Sequence, residues 1–248
     1  MAAARPGRAH PLATVAARMA DSIDYFSKQH PFRRLATKIA LRAREQMFDR
    51  FARAVPFDER TTVIDVGVTP DQELADSNFF ERLYPYPAQL TATSIEDAGF
   101  LEQRYPGLRF VRTDGVGLPF EEGEFGIAFS SAVLEHVGDR SAQRRFVEEI
   151  CRVADRFYIT TPNRWFPVEL HTFLPLLHWL PQRRHQAILR RLGKGFWAET
   201  ANLNLLSASE VRALFPAGTT VRVDRHRTLG WTSNLIAHGR VTRPAAAP

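Results

Sequence analysis

The residues whose types and spacing most clearly suggest chemistry are an acid and a glycine at the end of an apolar run. Residues 62–69 read Thr-Val-Ile-Asp-Val-Gly-Val-Thr, so that Asp65 and Gly67 close the run, and Pro70 and Asp71 follow. A strand that stops at a glycine turn exposes backbone N–H groups at the start of the next helix, where nucleotide-like ligands bind in open α/β sheets. Because the run has one glycine and not three, its meaning depends on residues farther along the chain.

A second chemical feature is the pair Glu135-His136, which comes just after the apolar run 125–131. Histidine is the natural general base near neutral pH, so His136 is the first catalytic candidate. The structural alternative is a ring that packs beside a ligand or hydrogen-bonds a backbone carbonyl. His171 is a second acid/base candidate because it follows the fifth predicted strand. His171 and His178 are seven residues apart, which is no recognised ligand spacing, and we predict no metal site.

The composition is that of one globular domain in a reducing compartment. The chain has 248 residues, enough for one sizeable core, and 44% of them are hydrophobic. Cys151 is the single cysteine, which excludes a disulfide framework and favours a cytoplasmic location. We expect a buried, inert thiol there. No apolar stretch is long enough to span a bilayer, and the alanine-rich first residues predict a frayed end, with a transit peptide as the alternative.

The net charge of +6 is unevenly distributed along the chain. Residues 1–50 carry ten basic and four acidic side chains, residues 51–163 carry eleven and nineteen, and residues 164–248 carry twelve and four. A dedicated nucleic-acid binder more often shows one basic face with a recognition motif, and this sequence shows no such motif. We therefore expect no nucleic-acid partner, although the basic composition leaves RNA binding or methylation as a third alternative.

Strands and helices alternate from residue 61 onward, which is typical of a parallel sheet with crossover helices. Two amphipathic helices precede this part, at 15–26 and 35–54. A capping box at 207–210 predicts a last helix, and two β-rich runs divided by Gly230 predict a closing antiparallel pair. The predicted strands cover residues 61–68, 89–95, 108–113, 124–130, 156–161, 219–227 and 231–239. The predicted helices between them cover residues 71–84, 97–104 and 141–154.

Four motifs at these places resemble the class I S-adenosylmethionine-dependent methyltransferases, particularly the bacterial group with a type 11 methyltransferase domain. They are Val63-Ile64-Asp65-Val66-Gly67, the strand 90–96, Thr113-Asp114-Gly115 with Leu118-Pro119-Phe120, and the segment 125–137. The resemblance covers residues 60–163 well and 207–239 in outline. It implies an α/β fold of three layers, with a Rossmann-like, doubly wound, seven-stranded sheet whose last strand is antiparallel.

The resemblance also implies S-adenosyl-L-methionine as the cofactor. Asp65 matches the acid that helps to hold the donor's ammonium end, and Asp114 matches the residue that reads the adenine amino group. Ser94 takes the position that holds the ribose hydroxyls, with Glu96 as its possible substitute. The cofactor-binding residues implied in this way are Asp65, Gly67, Thr69, Ser94, Glu96, Asp114, Gly115 and Ser131.

The function implied is methylation, with an oxygen of a small-molecule, glycan or lipid-linked acceptor as the leading target. Thr69 and Asp71 stand where the family usually has glycines, and Ser94 replaces its ribose-binding acid. These departures leave open a non-catalytic binding or scaffold protein on a degenerate methyltransferase fold. The ubiquinone-type O-methyltransferases have a similar Glu-His segment linked to a divalent metal, but this chain has Ala132 at the position of their further acid.

The chain divides into an N-terminal helical extension, residues 1–56, and a main domain, residues 57–248, with a lid-like insertion at 164–206. Candidate acceptor-binding residues follow the fifth strand, and the alternative for them is a Pro-Asn turn with a solvated arginine; they are Asn163, Arg164 and Trp165. The insertion is aromatic and basic, so we hypothesise an anionic or lipid-linked acceptor, or peripheral contact with an anionic membrane. The alternative is that its aromatic residues pack as a lid core while its arginines face water. The sequence determines neither the acceptor nor the oligomeric state.

Overall fold

A computed structural model describes residues 31–72, 77–228 and 230–243, with the side chains of residues 31–40 and 43 excepted. The predicted helix at 15–26 lies outside these residues. The helices are α1 (Pro31–Ala54), α2 (Phe79–Leu83), α3 (Phe100–Arg104), α4 (Arg140–Val153), α5 (Gln182–Arg191) and α6 (Ala208–Arg212). The strands are β1 (Val63–Val66), β2 (Leu90–Ser94), β3 (Arg109–Arg112), β4 (Phe125–Ser131), β5 (Ala154–Pro162), β6 (Thr219–Thr228) and β7 (Trp231–Val241).

The seven strands form one sheet in the order β3-β2-β1-β4-β5-β7-β6. The first five strands are parallel, and β7 runs antiparallel to both of its neighbours, β5 and β6. This topology confirms the predicted doubly wound sheet with an antiparallel last strand. Because β1 to β5 are parallel, the segments that follow them all lie at the same edge of the sheet, where such folds bind ligands.

Helices cover both faces of the sheet, which explains why the central strands are continuous apolar runs. Ile64 and Val66 of β1 face a core shared with α4 and α6. Val63 faces the opposite core, which α1, α2 and α3 complete. Phe51 of α1 is fully buried there and packs edge-on against Phe129 of β4. The described part of the N-terminal region thus shares a core with the sheet.

Two of the predicted helices begin later than the sequence pattern indicated. Helix α2, which lies within the span expected at 71–84, starts after Asn78, which has a left-handed φ of 50° and whose amide binds the backbone of Thr69. The helix expected at 97–104 starts after Gly99, whose N–H donates to the Asp97 carboxylate at 2.9 Å. In both places a hydrogen bond between side chain and backbone offers the chain a local alternative to the helix.

The later elements match their predictions more closely. The Asp139 carboxylate caps α4 by accepting the N–H of Ala142, and Ser207 and Glu210 form the expected capping box of α6. The Cys151 thiol of α4 is free and buried, as predicted. The insertion contains α5 and a small core of its own around Leu189 and Trp197. None of the helices in the described part of the chain has both the length and the apolar character needed to cross a membrane.

Candidate active site

The glycine turn after β1 is held tightly between two neighbouring segments. Gly67 has a φ of +107°, and a Cβ atom there would overlap the side chain of Val133, which follows β4. The N–H groups of Gly67 and Val68 both donate to the Thr93 carbonyl of β2, at 2.8 and 3.0 Å. Only glycine therefore satisfies both the backbone conformation and the close approach of Val133.

The described residues that follow in this loop form hydrogen bonds with one another. The Asn78 amide accepts the Thr69 N–H at 3.0 Å and donates to the Thr69 carbonyl at 2.8 Å. The Thr69 hydroxyl accepts the Asp71 N–H, and the Ser77 hydroxyl donates to the Asp71 carboxylate at 2.7 Å. The predicted cofactor residue Thr69 thus has its backbone N–H and carbonyl committed to the protein, together with its side chain.

The ends of β2 and β3 present two acids at the same edge. Ser94 is buried, and its hydroxyl accepts the Glu96 N–H at 3.3 Å. The Glu96 carboxylate accepts no hydrogen bond from the described residues, and partial burial raises its pKa, although Arg112 opposes this shift. After β3, one oxygen of Asp114 accepts the Val116 N–H at 3.2 Å. A Cβ on the neighbouring Gly115 would overlap the Phe146 ring.

Asp65 lies within β1, before the edge of the sheet, and has a second acid as its neighbour. Asp65 of β1 and Glu81 of α2 are both buried. Burial raises the pKa of each carboxyl group, and the charge of Glu81 raises that of Asp65 further. Two adjacent buried carboxyl groups are most stable when they share a proton, because a second negative charge would have no compensation.

A cluster of two acids and two histidines lies at the carboxyl ends of β4 and β5. We call Glu135, His136, Glu169 and His171 the polar cluster. Glu135 and His136 form a 3-10 turn after β4, whereas Glu169 and His171 come from the insertion. The rings of His136 and His171 meet edge to face, with their centroids 4.8 Å apart. The structure thus brings together both predicted catalytic residues.

Hydrogen bonds fix the orientation of each side chain in the polar cluster. The Thr161 hydroxyl donates to Glu135 Oε2 at 2.9 Å. His136 Nδ1 lies 2.7 Å from the Asn202 carbonyl, and His171 Nδ1 lies 2.6 Å from Glu169 Oε1. Glu135 Oε1 and His136 Nε2 are buried without a hydrogen-bond partner among the described residues.

The protonation states of the cluster follow from burial and mutual charge. Burial lowers the pKa of His136 to about 3, and the charge of His171 adds to this effect. Burial alone would raise the pKa of Glu169, but the hydrogen bond and charge of His171 outweigh it and lower that pKa to about 2. Burial likewise opposes ionisation of His171, yet its bond to Glu169 raises its pKa. Burial raises the pKa of Glu135.

The other predicted residues lie near the same edge, and most of their polar groups are bonded within the protein, although Arg164 Nε is buried without a partner among the described residues. The Ser131 hydroxyl is 2.9 Å from that of Thr160. The Asn163 amide donates to the Thr232 carbonyl and accepts the Trp165 N–H, which ties the end of β5 to β7. The Arg164 guanidinium lies over the Trp165 ring, 5.6 Å from its centre. A role in binding the acceptor stays a prediction for Asn163, Arg164 and Trp165.

The site can be compared with known proteins on this geometry. The family model described as a methyltransferase domain matches residues 75–156. A search of curated proteins found no match. Many solved structures share the fold, among them magnesium protoporphyrin IX methyltransferase from Synechocystis PCC 6803 with bound S-adenosylhomocysteine. It is 12% identical, the match covers 92% of this chain and 97% of that chain, and the TM-score is 0.57.

Two further structures have the same fold at low identity. An N-methyltransferase from Bradyrhizobium japonicum WM9, in complex with S-adenosylhomocysteine, is 13% identical, covers 92% of this chain and 99% of its own, and has a TM-score of 0.52. The 1,6-didemethyltoxoflavin-N1-methyltransferase of Burkholderia thailandensis is 17% identical, with coverages of 97% and 94% and a TM-score of 0.51.

The family match and the strand order agree. Residues 75–156 match a methyltransferase-domain family, and the described part of the chain has the fold of these solved methyltransferases. S-adenosyl-L-methionine is the donor that the resemblance implies for this chain, and all three of these structures hold S-adenosylhomocysteine. The residues of this chain fit the adenosyl half of that donor, because Glu96 and Asp114 each have a carboxylate oxygen with no partner among the described residues. On the methionine side, the N–H groups of Gly67, Val68 and Thr69 are already bonded.

Sequence reasoning missed several residues that shape the site of this protein. Asn78, Glu81 and Asn202 received no role, although they hold Thr69, Asp65 and His136. Asn202 is 66 positions from His136, and no local pattern marks such a contact. Glu169, close to His171 in the sequence, was likewise not predicted as a ligand, because the two histidines seven residues apart have no recognised ligand spacing. Only Asn78 had a recognisable signal, since asparagine favours the left-handed conformation before a helix.

Proposed function

We propose that this protein is an S-adenosylmethionine-dependent methyltransferase that transfers a methyl group to an oxygen of a small-molecule, glycan or lipid-linked acceptor bound over the ends of β4 and β5. The observation that carries the proposal is the polar cluster with its two unpartnered buried atoms, Glu135 Oε1 and His136 Nε2. A buried polar atom is stabilised only by a bonding partner. A hydroxyl donor of an acceptor meets that need, whereas an apolar group would not.

The donor side of the proposal assigns roles to the acids at the ends of β2 and β3. S-adenosylmethionine, when bound, supplies a methyl group activated on a sulfonium sulfur. Glu96 would accept hydrogen bonds from the ribose hydroxyls, and Asp114 would accept one from the adenine amino group. Asp65 would help to hold the donor's ammonium end from within β1, since it is buried beside Glu81 and not exposed at the edge of the sheet.

The chain's own contribution to the reaction is to place the acceptor oxygen and receive its proton. A bound donor would supply the methyl group, its sulfonium becoming a thioether, and the polar cluster would receive the proton that the acceptor oxygen loses. Holding the oxygen in line with the methyl carbon is the main source of acceleration in such a transfer. The walls of the insertion, including the Trp197 ring 5.0 Å from His171, would exclude water from this place.

The insertion favours an acceptor that is anionic or attached to lipid. Five large apolar side chains of the insertion are exposed, and we call the four that precede α5 the lid surface: Trp165, Leu170, Phe173 and Leu176. The following turn contacts α5, which carries exposed arginines at 183, 184, 190 and 191. Apolar side chains beside basic ones match the interface of an anionic membrane.

Calorimetric titration with S-adenosylhomocysteine tests the donor assignment. We expect micromolar binding by the wild type and about tenfold weaker binding by Glu96→Gln, because one charge-assisted hydrogen bond is worth about 1.5 kcal/mol or more. Asp97→Asn is the matched control, since Asp97 is the exposed neighbouring acid. An absence of binding at millimolar ligand would support the scaffold alternative instead.

Transfer of radiolabelled methyl groups tests the acceptor assignment. Hydroxyl-bearing small molecules, oligosaccharides and lipid-linked saccharides are each offered with labelled S-adenosylmethionine. We expect label in a product whose oxygen carries the methyl group, and none when the hydroxyls of the same compound are blocked by prior methylation. Label found on nitrogen or sulfur would contradict the proposal.

A further inference from the structure

We infer that Glu135, His136 and His171 form a binding site for a divalent transition-metal ion. Their ligand atoms all lie within 4.8 Å of one another. Two imidazole nitrogens and one carboxylate oxygen are a donor set that suits zinc and its first-row neighbours. The sequence pattern predicted no metal, because Ala132 stands where a further acid was expected. The fold supplies His171 from the insertion as the third group.

Each of the three side chains offers one ligand atom to the same space. The Asn202 carbonyl takes the Nδ1 hydrogen of His136, so Nε2 is left as the unprotonated, buried nitrogen. The Glu169 carboxylate takes the Nδ1 hydrogen of His171, so the other nitrogen of that ring can bind a metal that displaces its proton. Glu135 Oε1 is buried without a partner among the described residues and lies 3.9 Å from His136 Nε2.

Neighbouring hydroxyl and N–H groups hold the carboxylate oxygens of the cluster that do not bind the metal. The Thr161 hydroxyl binds the other oxygen of Glu135, at 2.9 Å. Glu169 is itself fixed by the hydroxyl and the N–H of Thr172, both at 2.7 Å. Metal-binding histidines commonly donate their second nitrogen to a carbonyl or a carboxylate, which fixes the tautomer and the ring orientation. Both histidines here have such a partner.

The distances and charges are compatible with a catalytic type of site. Metal–ligand bonds of 2.0–2.2 Å place ligand atoms about 3.3 Å apart in a tetrahedron, so the three side chains would close by about an ångström. Two buried acids, Glu135 and Glu169, balance the charge of a divalent ion. Three protein ligands leave a coordination position for an acceptor oxygen, whose deprotonated form the metal favours. In the metal-bound protein the acceptor oxygen would therefore bind the ion, and not Glu135 Oε1 and His136 Nε2 directly. That last role, and not metal binding itself, depends on the proposed function.

Cobalt(II) spectroscopy on the full chain, stripped with a chelator, tests the inference. We expect stoichiometric binding with visible absorption stronger than that of the hydrated ion, and displacement of cobalt by zinc. His171→Gln should abolish this spectrum. Glu169→Gln, which removes a positioning residue and no ligand, should weaken metal affinity about 10- to 100-fold. His185→Gln is the matched control, because His185 belongs to α5 and not to the polar cluster.

Thermal unfolding of the same samples separates a lost ligand from a lost fold. Zinc should raise the melting temperature of the wild type and of His185→Gln, but not that of folded His171→Gln. Unchanged cobalt binding by His171→Gln, or no binding by the wild type at millimolar cobalt, would overturn the inference. Titration of the stripped protein with S-adenosylhomocysteine distinguishes the two proposals: donor binding without metal binding leaves the methyltransferase proposal intact.

Discussion

Gly67 is the residue at which backbone geometry and packing constrain the site most strongly. Its φ of +107° is unfavourable for any other residue, and the Val133 side chain occupies the space that a Cβ would need. The close contact joins the turn after β1 to the segment that carries Glu135 and His136. Gly67 thus links the cofactor side of the site to the polar cluster.

We predict that Gly67→Ala lowers the free energy of unfolding by about 2–4 kcal/mol, since the substitution adds backbone strain and a steric overlap. Chemical denaturation measures this loss. Gly193→Ala is the control, because Gly193 also has a positive φ, of +73°, but its Cβ would meet nothing within 4 Å. It should lose about 1 kcal/mol from strain alone. Equal losses in the two variants would show that Val133 does not matter, and adding Val133→Ala should restore part of the stability of Gly67→Ala.

At the scale of elements, the contact between β1 and α2 carries a buried pair of acids. Asp65 and Glu81 are 16 residues apart in the sequence, and they meet in the core beside Phe79 and Phe80. Burial raises both pKa values above those of the unfolded chain. The folded state therefore holds more protons than the unfolded state, and its stability falls as pH rises above about 4.

We predict that Glu81→Gln raises the free energy of unfolding at pH 8 by about 1–3 kcal/mol, because a neutral amide can donate to Asp65 and removes one buried acid. The wild type should lose stability between pH 5 and pH 8, and the variant should lose less over the same range. Denaturation at several pH values measures both. Glu59→Gln, at an exposed acid before β1, is the control and should leave the profile unchanged. A destabilised Glu81→Gln variant would contradict the assignment of raised pKa values.

At the scale of the whole molecule, the acidic centre of the sequence becomes most of the sheet and its helices. The basic residues after position 163 are divided between the insertion and the last strands. Within the insertion, the lid surface and the arginines of α5 follow one another directly. Phe173 and Leu176 both have left-handed backbones, with φ of 56° and 58°, and both side chains are exposed.

We predict that Phe173→Ser combined with Leu176→Ser lowers binding to vesicles of anionic lipid at least tenfold, because each apolar side chain contributes about 1.5–3 kcal/mol when fully buried. Co-sedimentation with vesicles measures the effect, and neutral vesicles should bind weakly in every case. Trp231→Ser is the control, since Trp231 is 54% exposed but belongs to β7. Equal binding to neutral and anionic vesicles would exclude the membrane proposal.

The sequence by itself determined the order and type of the main elements. Alternating β-rich and amphipathic segments predicted all seven strands, and Gly67 and the capping box at Ser207 were recognised from local patterns. Such signals are readable because side-chain period, turn conformation and helix capping act over a few residues. The starts of α2 and α3 were predicted wrongly, since Asn78 and Asp97 bind nearby backbone in competition with the helix.

Only the tertiary structure decided which polar groups meet. His136 lies against the carbonyl of Asn202 and the ring of His171, and Asp65 lies against Glu81. These contacts join segments that are far apart along the chain. The free energy of burying a polar group depends on the partner that packing brings to it, and no spacing rule contains that partner. The sequence therefore identified the Glu135-His136 pair and His171. The fold brought that pair against His171 and Glu169.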